Sequence, residues 1–146
     1  MQTKILEMLP YRSPFRFVDN ITKASPDSFQ GNYTFKKDEY FYTGHFPDYP
    51  VTPGVILIET MAQIGLDSFG LYLLIKEEYE FEKGMSPIFT SSNIEFLKPV
   101  FPGDFVKVTS KKEFFRLGKL KCFVEMTHKN GDLISKGYLS GIFLRH

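Results

Sequence analysis

A histidine and a glutamate lie fourteen positions apart, on either side of a strongly marked helix start. His45 belongs to the segment Gly44-His45-Phe46-Pro47, and Glu59 lies inside the apolar stretch that follows. A buried carboxyl group is costly unless it has partners or holds a proton. Histidine side chains titrate near neutral pH, so a neutral imidazole can take a proton under physiological conditions. The pair therefore predicts acid–base chemistry, with His45 as the base and Glu59 as the acid.

Gly54 adds a third chemical group at the start of the same helix. Thr52 can cap the helix, Pro53 suits its first position, and Gly54 then offers the first free backbone N–H. Such an N–H can stabilise a developing oxyanion, and the missing side chain lets a carbonyl group approach closely. A base, an acid and an oxyanion donor are the parts needed to eliminate water next to a carbonyl group. The alternatives are a packing glycine at Gly54 and a salt-bridged core carboxylate at Glu59.

The element that must position these groups is a long helix over residues 55–75. Its sequence is apolar nearly all the way round, so other structure must wrap it. Only Glu59, Gln63 and Asp67 break the pattern, and their spacing of four residues places them in one narrow polar stripe. Gln63 lies one turn after Glu59, where its amide can orient that carboxyl group.

Shorter elements flank the long helix. The pattern predicts a helix over 3–9, strands over 15–23 and 28–36, and four later strands over 87–97, 104–116, 119–128 and 132–144. Turn signals at 25–27, 117–118 and 130–131 join neighbouring strands as hairpins. This order predicts an α+β fold in which an antiparallel sheet curls around one central helix. A length of 146 residues fits a single domain over 1–146.

Composition narrows the function classes. A net charge of +1 gives no global field for nucleic acid or an anionic membrane. The sequence has no His/Cys group with metal-ligand spacing and no Gly-rich phosphate loop, so we expect no metal and no cofactor. The single cysteine, Cys122, excludes an internal disulfide and suits a reducing compartment. Without a signal-peptide pattern or an uninterrupted apolar span, the sequence predicts a soluble cytoplasmic protein. His128 and His146 are expected at the surface.

Several segments resemble the FabZ-type 3-hydroxyacyl-acyl-carrier-protein dehydratases, which have a hotdog fold. They are Leu9-Pro10-Tyr11-Arg12-Ser13-Pro14-Phe15, Gly44-His45-Phe46-Pro47, Pro50-Val51-Thr52-Pro53-Gly54-Val55, Glu59-Thr60-Met61-Ala62-Gln63, Phe96-Leu97-Lys98-Pro99-Val100 and Pro102-Gly103-Asp104. The resemblance implies an enzyme that reversibly converts 3-hydroxyacyl thioesters to trans-2-enoyl thioesters in fatty-acid or related acyl-chain biosynthesis. Glutamate rather than aspartate at position 59 points to the FabZ type over the FabA type, which also isomerises the double bond.

The resemblance also implies a role for each site residue. His45 removes the α-proton, Glu59 assists loss of the β-hydroxyl group as water, and the Gly54 N–H donates to the thioester oxygen. In the family the site forms between two subunits, with His45 of one facing Glu59 of the other. The homodimers often assemble further as trimers of dimers.

The implied partner is an acidic acyl carrier protein. Basic residues that could meet it are Arg12, Lys98 and the basic cluster Lys111, Lys112, Arg116, Lys119 and Lys121. A solvated strand face is an equal alternative for the basic cluster.

The sequence departs from the family pattern at three places, one of them a pair of residues. Tyr11 replaces the usual histidine, Thr52 replaces the usual methionine, and Leu97-Lys98 replaces a commonly more basic pair. None of these changes removes a catalytic group, but they leave open a specialised pathway, such as polyene or pigment synthesis. Two other functions also stay open: a hotdog thioesterase, and a non-catalytic subunit that binds acyl chains or carrier protein. The central signature argues against the first, and the retained His45–Glu59 pair argues against the second.

Overall fold

The apolar segment forms one long helical unit, Gly54–Lys76, at the centre of the fold. The computed structural model describes residues 1–77 and 85–145. The predicted surface position of His146 lies outside the described residues. In chain order, the elements are the helix α1 Gln2–Met8, the strands β1 Asn20–Ala24 and β2 Ser28–Thr34, a 3-10 turn Tyr40–Thr43, the helix α2 Gly54–Ala62, a π-helical turn Gln63–Ser68, the helix α3 Phe69–Lys76, and the strands β3 Met85–Phe96, β4 Phe105–Arg116, β5 Lys119–His128 and β6 Leu133–Arg145.

The six strands form one antiparallel sheet in the order β1-β2-β4-β5-β6-β3. The predicted tight turn between β4 and β5 is confirmed, because Leu117 and Gly118 both have positive φ angles, of 52° and 75°. β3 pairs with β6 from Met85 to Phe96 and has no other neighbour within the described part of the chain. The sheet therefore ends in a long edge strand.

The concave sheet buries the middle of the long helix. Every residue from Thr60 to Leu74 is buried, and the π-helical turn contacts β2, β4, β5 and β6. By length and composition the helix could cross a membrane, but 78% of its most apolar window is buried inside this fold. This arrangement is that of a core helix, and it confirms the α+β hotdog fold predicted from the sequence. Cys122 packs in the same core, as its alternating strand pattern predicts.

The first predicted strand is too long at its N-terminal end. The sequence predicts a strand over 15–23, whereas β1 covers only Asn20–Ala24. The reason is that a side chain takes the place of a neighbouring strand: the Phe17 N–H donates to Gln63 Oε1 at 2.8 Å, and the Phe15 carbonyl accepts from Gln63 Nε2 at 3.0 Å. The backbone at Phe15 and Phe17 is thus bound to the central helix, and the contacts with β2 begin only at Asp19, whose N–H donates to the Asn32 carbonyl at 2.9 Å.

Gly31 in β2 is a position at which sheet and helix approach closely, and it gives a first prediction. A Cβ atom there would lie 2.7 Å from the Asn20 carbonyl oxygen and 2.8 Å from Ile64 Cγ2. We expect Gly31→Ala to lower the free energy of unfolding by about 1–3 kcal/mol in urea denaturation. Gly44→Ala is the matched control, because a Cβ at Gly44 meets nothing within 4 Å. Equal losses in both variants would contradict this account of the packing.

Candidate active site

The loop that carries His45 is held at both ends by backbone hydrogen bonds. The His45 N–H donates to the Phe41 carbonyl at 3.0 Å, and the Val51 N–H donates to the His45 carbonyl at 3.0 Å. The imidazole Nδ1 lies 2.8 Å from the Val51 carbonyl oxygen. A carbonyl oxygen can only accept, so Nδ1 carries the hydrogen and Nε2 keeps its lone pair. This contact leaves Nε2 as the atom that can take a proton.

His45 and Gly54 line the same cleft, whose volume is about 370 Å³. The other lining residues come from the loop before α2, from α2 itself and from the end of β3 onward: Val51, Thr52, Leu57, Phe96, Leu97, Lys98 and Pro99. The first N–H groups of a helix have no acceptor within the helix, and the Gly54 N–H forms no hydrogen bond within residues 1–77 and 85–145. A donor and a proton acceptor therefore share one cleft.

Gly54 keeps the approach to this donor open. A Cβ atom at this position would lie 3.3 Å from Cζ of the Phe96 ring, which forms the opposite wall. A contact that short is tighter than most side chains tolerate. A residue larger than glycine would thus fill the space beside the N–H.

The predicted capping role of Thr52 is wrong. The helix begins at Gly54 with Pro53 as its N-cap residue, and no side chain caps it. The Thr52 hydroxyl is instead buried against the Tyr42 hydroxyl, with the two oxygens 2.7 Å apart. The Thr52 N–H donates to the Val100 carbonyl at 2.8 Å, so this residue fixes the entry to the helix by tertiary contacts. Sequence reasoning missed them because the partners are ten and forty-eight positions away.

Glu59 lies apart from the cleft of His45. Its side chain is half-buried, and it is not among the residues that line the cleft. Burial raises the pKa of the Glu59 carboxyl group, and the hydrogen bond from Gln63 partly offsets that rise. The structure of one chain thus brings His45 and Gly54 together but leaves Glu59 on the polar stripe of the helix.

Gln63 fixes the orientation of Glu59, as its spacing predicts. Its side chain is fully buried, and its Nε2 donates to Glu59 Oε2 at 3.1 Å. The amide cannot turn over, because its Oε1 already accepts the Phe17 N–H. The amide NH₂ group must therefore face Glu59.

Asp67, the third residue of the polar stripe, forms a hydrogen-bonded pair with Tyr11 that its spacing does not predict. Asp67 is 6% exposed, and its Oδ2 accepts a hydrogen bond from the Tyr11 hydroxyl at 2.6 Å. Burial and, to a smaller extent, the charge of Glu59 raise the pKa of Asp67 to about 7, against the lowering effect of the hydrogen bond from Tyr11. Burial beside Asp67 also raises the pKa of Tyr11, which keeps its proton. The signal that could have revealed this pair was a tyrosine in place of the histidine usual at position 11.

The basic residues lie in three places. Lys98 lies on the wall of the cleft and pairs with Asp132 at 2.8 Å, with both side chains about half exposed (49% and 48%). Arg12 donates to the carbonyl oxygens of Leu9 and Tyr11, so its guanidinium group is bound to its own loop. The basic cluster lies on β4 and β5, and none of its members lines the cleft. Among the described residues, no group of three or more His, Cys, Asp or Glu side chains could hold a metal ion.

Comparisons with known proteins agree on one family. The FabA-like domain matches residues 9–137. The 3-hydroxyacyl-[acyl-carrier-protein] dehydratase FabZ of Geotalea uraniireducens is 36% identical over 116 residues, which cover 79% of this chain and 77% of that protein. The FabZ protein of Caldicellulosiruptor bescii is 34% identical over 140 residues, which cover 93% of each chain.

Solved structures share the fold at low sequence identity. A chain of the dehydratase heterocomplex ApeI:P from Xenorhabdus doucetiae has a TM-score of 0.78 and 13% identity, covering 97% of this chain and 91% of that one. A hypothetical thioesterase with coenzyme A from Streptococcus pneumoniae TIGR4 has a TM-score of 0.62 and 14% identity, covering 87% and 86%. At such identities these two structures show the fold alone.

The buried Asp67 gives a prediction about stability. Its pKa of about 7, against an ordinary value of 3.8, means that the folded chain binds more protons than the unfolded chain between those two values. Stability therefore falls as the pH rises through this window. We expect Asp67→Asn to remove that fall. From about pH 5 to about pH 8, the free energy of unfolding of the wild type should therefore drop relative to that of Asp67→Asn, by a few kcal/mol as an order of magnitude.

Urea denaturation of both proteins at the two pH values measures this effect. Asp132→Asn is the control, because the hydrogen bond from Lys98 lowers the pKa of that exposed carboxyl group and leaves it ionised at both pH values. Parallel pH curves for the wild type and Asp67→Asn would show that Asp67 is not held in a protonated state.

Proposed function

The chain belongs to the FabA-like family of 3-hydroxyacyl-acyl-carrier-protein dehydratases, as a member of the FabZ type, and we propose that His45, Glu59 and Gly54 carry its reaction. The substrate is a 3-hydroxyacyl thioester on acyl carrier protein, and the products are the trans-2-enoyl thioester and water. The observation that carries the proposal is the contact of His45 Nδ1 with the Val51 carbonyl, which leaves Nε2 free in the cleft that contains the Gly54 N–H.

Each group has one step in the proposed reaction. His45 Nε2 takes the α-proton, and the electron pair of that C–H bond forms the new C=C bond. The Gly54 N–H stabilises the negative charge that develops on the thioester oxygen. Glu59 gives its proton to the β-hydroxyl group, whose C–O bond breaks as water leaves. The reverse sequence hydrates the enoyl thioester.

The surroundings of Glu59 suit the role of acid. Burial raises its pKa, which favours the protonated form needed to donate to a leaving group. The buried amide of Gln63 fixes one carboxyl oxygen, so the other is left for the substrate. Gln63 thus acts as a positioning residue through Glu59.

We further propose that the complete site forms between two copies of the chain. Glu59 does not line the cleft of His45, and β3 presents a free hydrogen-bonding edge within the described part of the chain. Ile88, Phe89 and Phe96 on this strand are 40% to 48% exposed. An exposed apolar edge strand is a template for pairing with a second chain. A homodimer joined along β3 is the smallest assembly that could place His45 of one copy against Glu59 of the other, and a trimer of dimers would retain that arrangement.

The carrier protein is proposed to approach at the mouth of the cleft. Lys98 is the basic residue on the cleft wall, whereas the basic cluster lies on β4 and β5 outside it. We therefore favour Lys98 as the contact for an acidic carrier and interpret the basic cluster as a solvated strand face. A cytoplasmic location, in keeping with the single buried Cys122, completes the proposal.

Substitution of the two acid–base residues tests the proposed chemistry. We expect His45→Ala and Glu59→Gln each to lower hydration and dehydration rates by about 10²–10⁴-fold, because each removes a proton-transfer group. The assay follows the loss of enoyl absorbance of a crotonyl thioester, with mass spectrometry of the products. His128→Ala is the matched control, since that imidazole does not line the cleft. Near wild-type activity in either variant would contradict the assignment of His45 and Glu59 as the acid–base residues. Free acid as the product would indicate a thioesterase.

Mixing the two inactive variants tests whether the site is shared. In a mixed dimer of His45→Ala and Glu59→Gln chains, one site lacks both groups and the other has both. Half of the dimers are mixed after random exchange, so we expect about a quarter of the wild-type activity to return. The measurement is the same absorbance assay after subunit exchange, with each variant mixed with itself as the control. No recovery, despite exchange shown by native mass spectrometry, would place both groups in one chain.

A further inference from the structure

We propose that Phe46 is a positioning residue that holds the His45 imidazole in the orientation and tautomer needed for proton transfer, an assignment that rests on the proposed function. The two rings are stacked, with their centroids 4.2 Å apart and an angle of 22° between their planes. Phe46 does not line the cleft. It therefore acts on the reaction through His45 and not through the substrate.

The imidazole has two other attachments, and together they leave one motion open. The ring is joined to the backbone through Cβ, and its Nδ1 donates to the Val51 carbonyl oxygen at 2.8 Å. The ring plane can still tilt about the line between these two points, and Nε2 lies off that line. An aromatic ring stacked on the imidazole face opposes this tilt. Phe46 thus supplies the constraint that the hydrogen bond lacks.

The tilt of the ring matters because it decides which nitrogen carries the hydrogen. The hydrogen bond to the Val51 carbonyl keeps the hydrogen on Nδ1 only while Nδ1 points at the carbonyl oxygen. A tilted ring makes a longer and more bent hydrogen bond, so the hydrogen can move to Nε2. In that tautomer Nε2 has no lone pair with which to take the α-proton. Phe46 therefore favours the tautomer that can act as the base.

The backbone of Phe46 is itself fixed by a pair of hydrogen bonds. The Phe46 N–H donates to the Tyr49 carbonyl at 3.1 Å, and the Tyr49 N–H donates to the Phe46 carbonyl at 3.1 Å. These two bonds close residues 46–49 into one turn. The His45 carbonyl also accepts the Val51 N–H, so the backbone on both sides of this turn is bound. The stacked ring is therefore attached to a backbone that can hold it in place.

Burial in the core does not explain the position of the Phe46 ring. Its side chain is 50% exposed, and Tyr49 in the same turn is 60% exposed. The Phe46 ring is stacked on the imidazole, whereas the Tyr49 ring packs on Phe101, with centroids 5.7 Å apart. The turn thus offers two exposed aromatic side chains, one with the contact to His45 and one with a contact elsewhere. Substitution of each in turn separates positioning of the base from general support of the loop.

The variants for this test are Phe46→Leu, which removes the flat ring, and Phe46→Tyr, which keeps it. We expect Phe46→Leu to lower kcat in the crotonyl-thioester assay by about threefold to tenfold, the range that the loss of one aromatic contact implies, with KM unchanged. Phe46→Tyr should keep kcat within about twofold of the wild type. Tyr49→Leu is the matched control and should leave kcat unchanged. An unchanged kcat in Phe46→Leu, an equal loss in Tyr49→Leu, or no rescue by Phe46→Tyr would each overturn the proposal.

A spectroscopic measurement that does not depend on activity separates this proposal from the proposed function. ¹⁵N NMR of the whole protein, labelled at its histidines, reports which ring nitrogen carries the hydrogen, and His45→Ala identifies the His45 signals. We expect the neutral His45 imidazole to carry its hydrogen on Nδ1 in the wild type and in Phe46→Tyr, and to become a mixture of both tautomers in Phe46→Leu. This change in a protein without dehydratase activity would support the positioning role and refute the function. An unchanged tautomer in Phe46→Leu would refute the positioning role alone if the wild type is an active dehydratase, and both proposals if it is not.

Discussion

The buried amide of Gln63 is the interaction on which the arrangement of the site depends. A fully buried amide must have its hydrogen bonds satisfied, and leaving a donor or acceptor unpaired costs about 1–3 kcal/mol. Gln63 meets this demand with the Phe17 N–H, the Phe15 carbonyl and the Glu59 carboxyl group. These contacts bind the backbone of Phe15 and Phe17 to the helix and not to the sheet, place the N-terminal segment over the polar stripe, and orient the carboxyl group of the proposed acid. One side chain therefore couples the path of the backbone to the geometry of the chemistry.

The His45 loop uses the same kind of constraint with backbone groups. The carbonyl and N–H of Val51 both bind His45, one through the imidazole and one through its carbonyl oxygen. The direction of the imidazole is thus fixed by the loop between the 3-10 turn and α2. In both halves of the proposed site, the side chain proposed to transfer a proton is oriented by a neutral group: a carbonyl oxygen, which can only accept, faces His45, and an amide NH₂, which can only donate, faces Glu59.

The sequence determines most of the fold through local patterns. The alternation of β4 and β5, the turns at 117–118 and 130–131 and the long apolar helix follow from neighbours in sequence, and the structure confirms each of them. What the sequence could not reveal depends on partners far along the chain. Gln63 binds residues 46 and 48 positions away, and Tyr11 binds Asp67 across 56 positions. The irregular backbone before β1, the true contacts of Thr52 and the π-helical turn at Gln63–Ser68 arise from such tertiary contacts, which residue patterns do not encode.

Within one chain the proposed acid lies apart from the proposed base, and this separation would have a physical advantage for a dehydratase. A protonated carboxyl group close to a neutral imidazole in one rigid chain would tend to transfer its proton and form an ion pair, which would remove both the acid and the base. Glu59 is instead held by Gln63 in the interior of the helix stripe, whereas His45 faces the cleft beside the Gly54 N–H. If two copies complete the site, each group is held by its own chain on one side of the bound substrate. The free edge of β3 and the placement of Glu59 are then two consequences of one requirement: the groups that exchange protons with the substrate must be fixed separately and brought together by association.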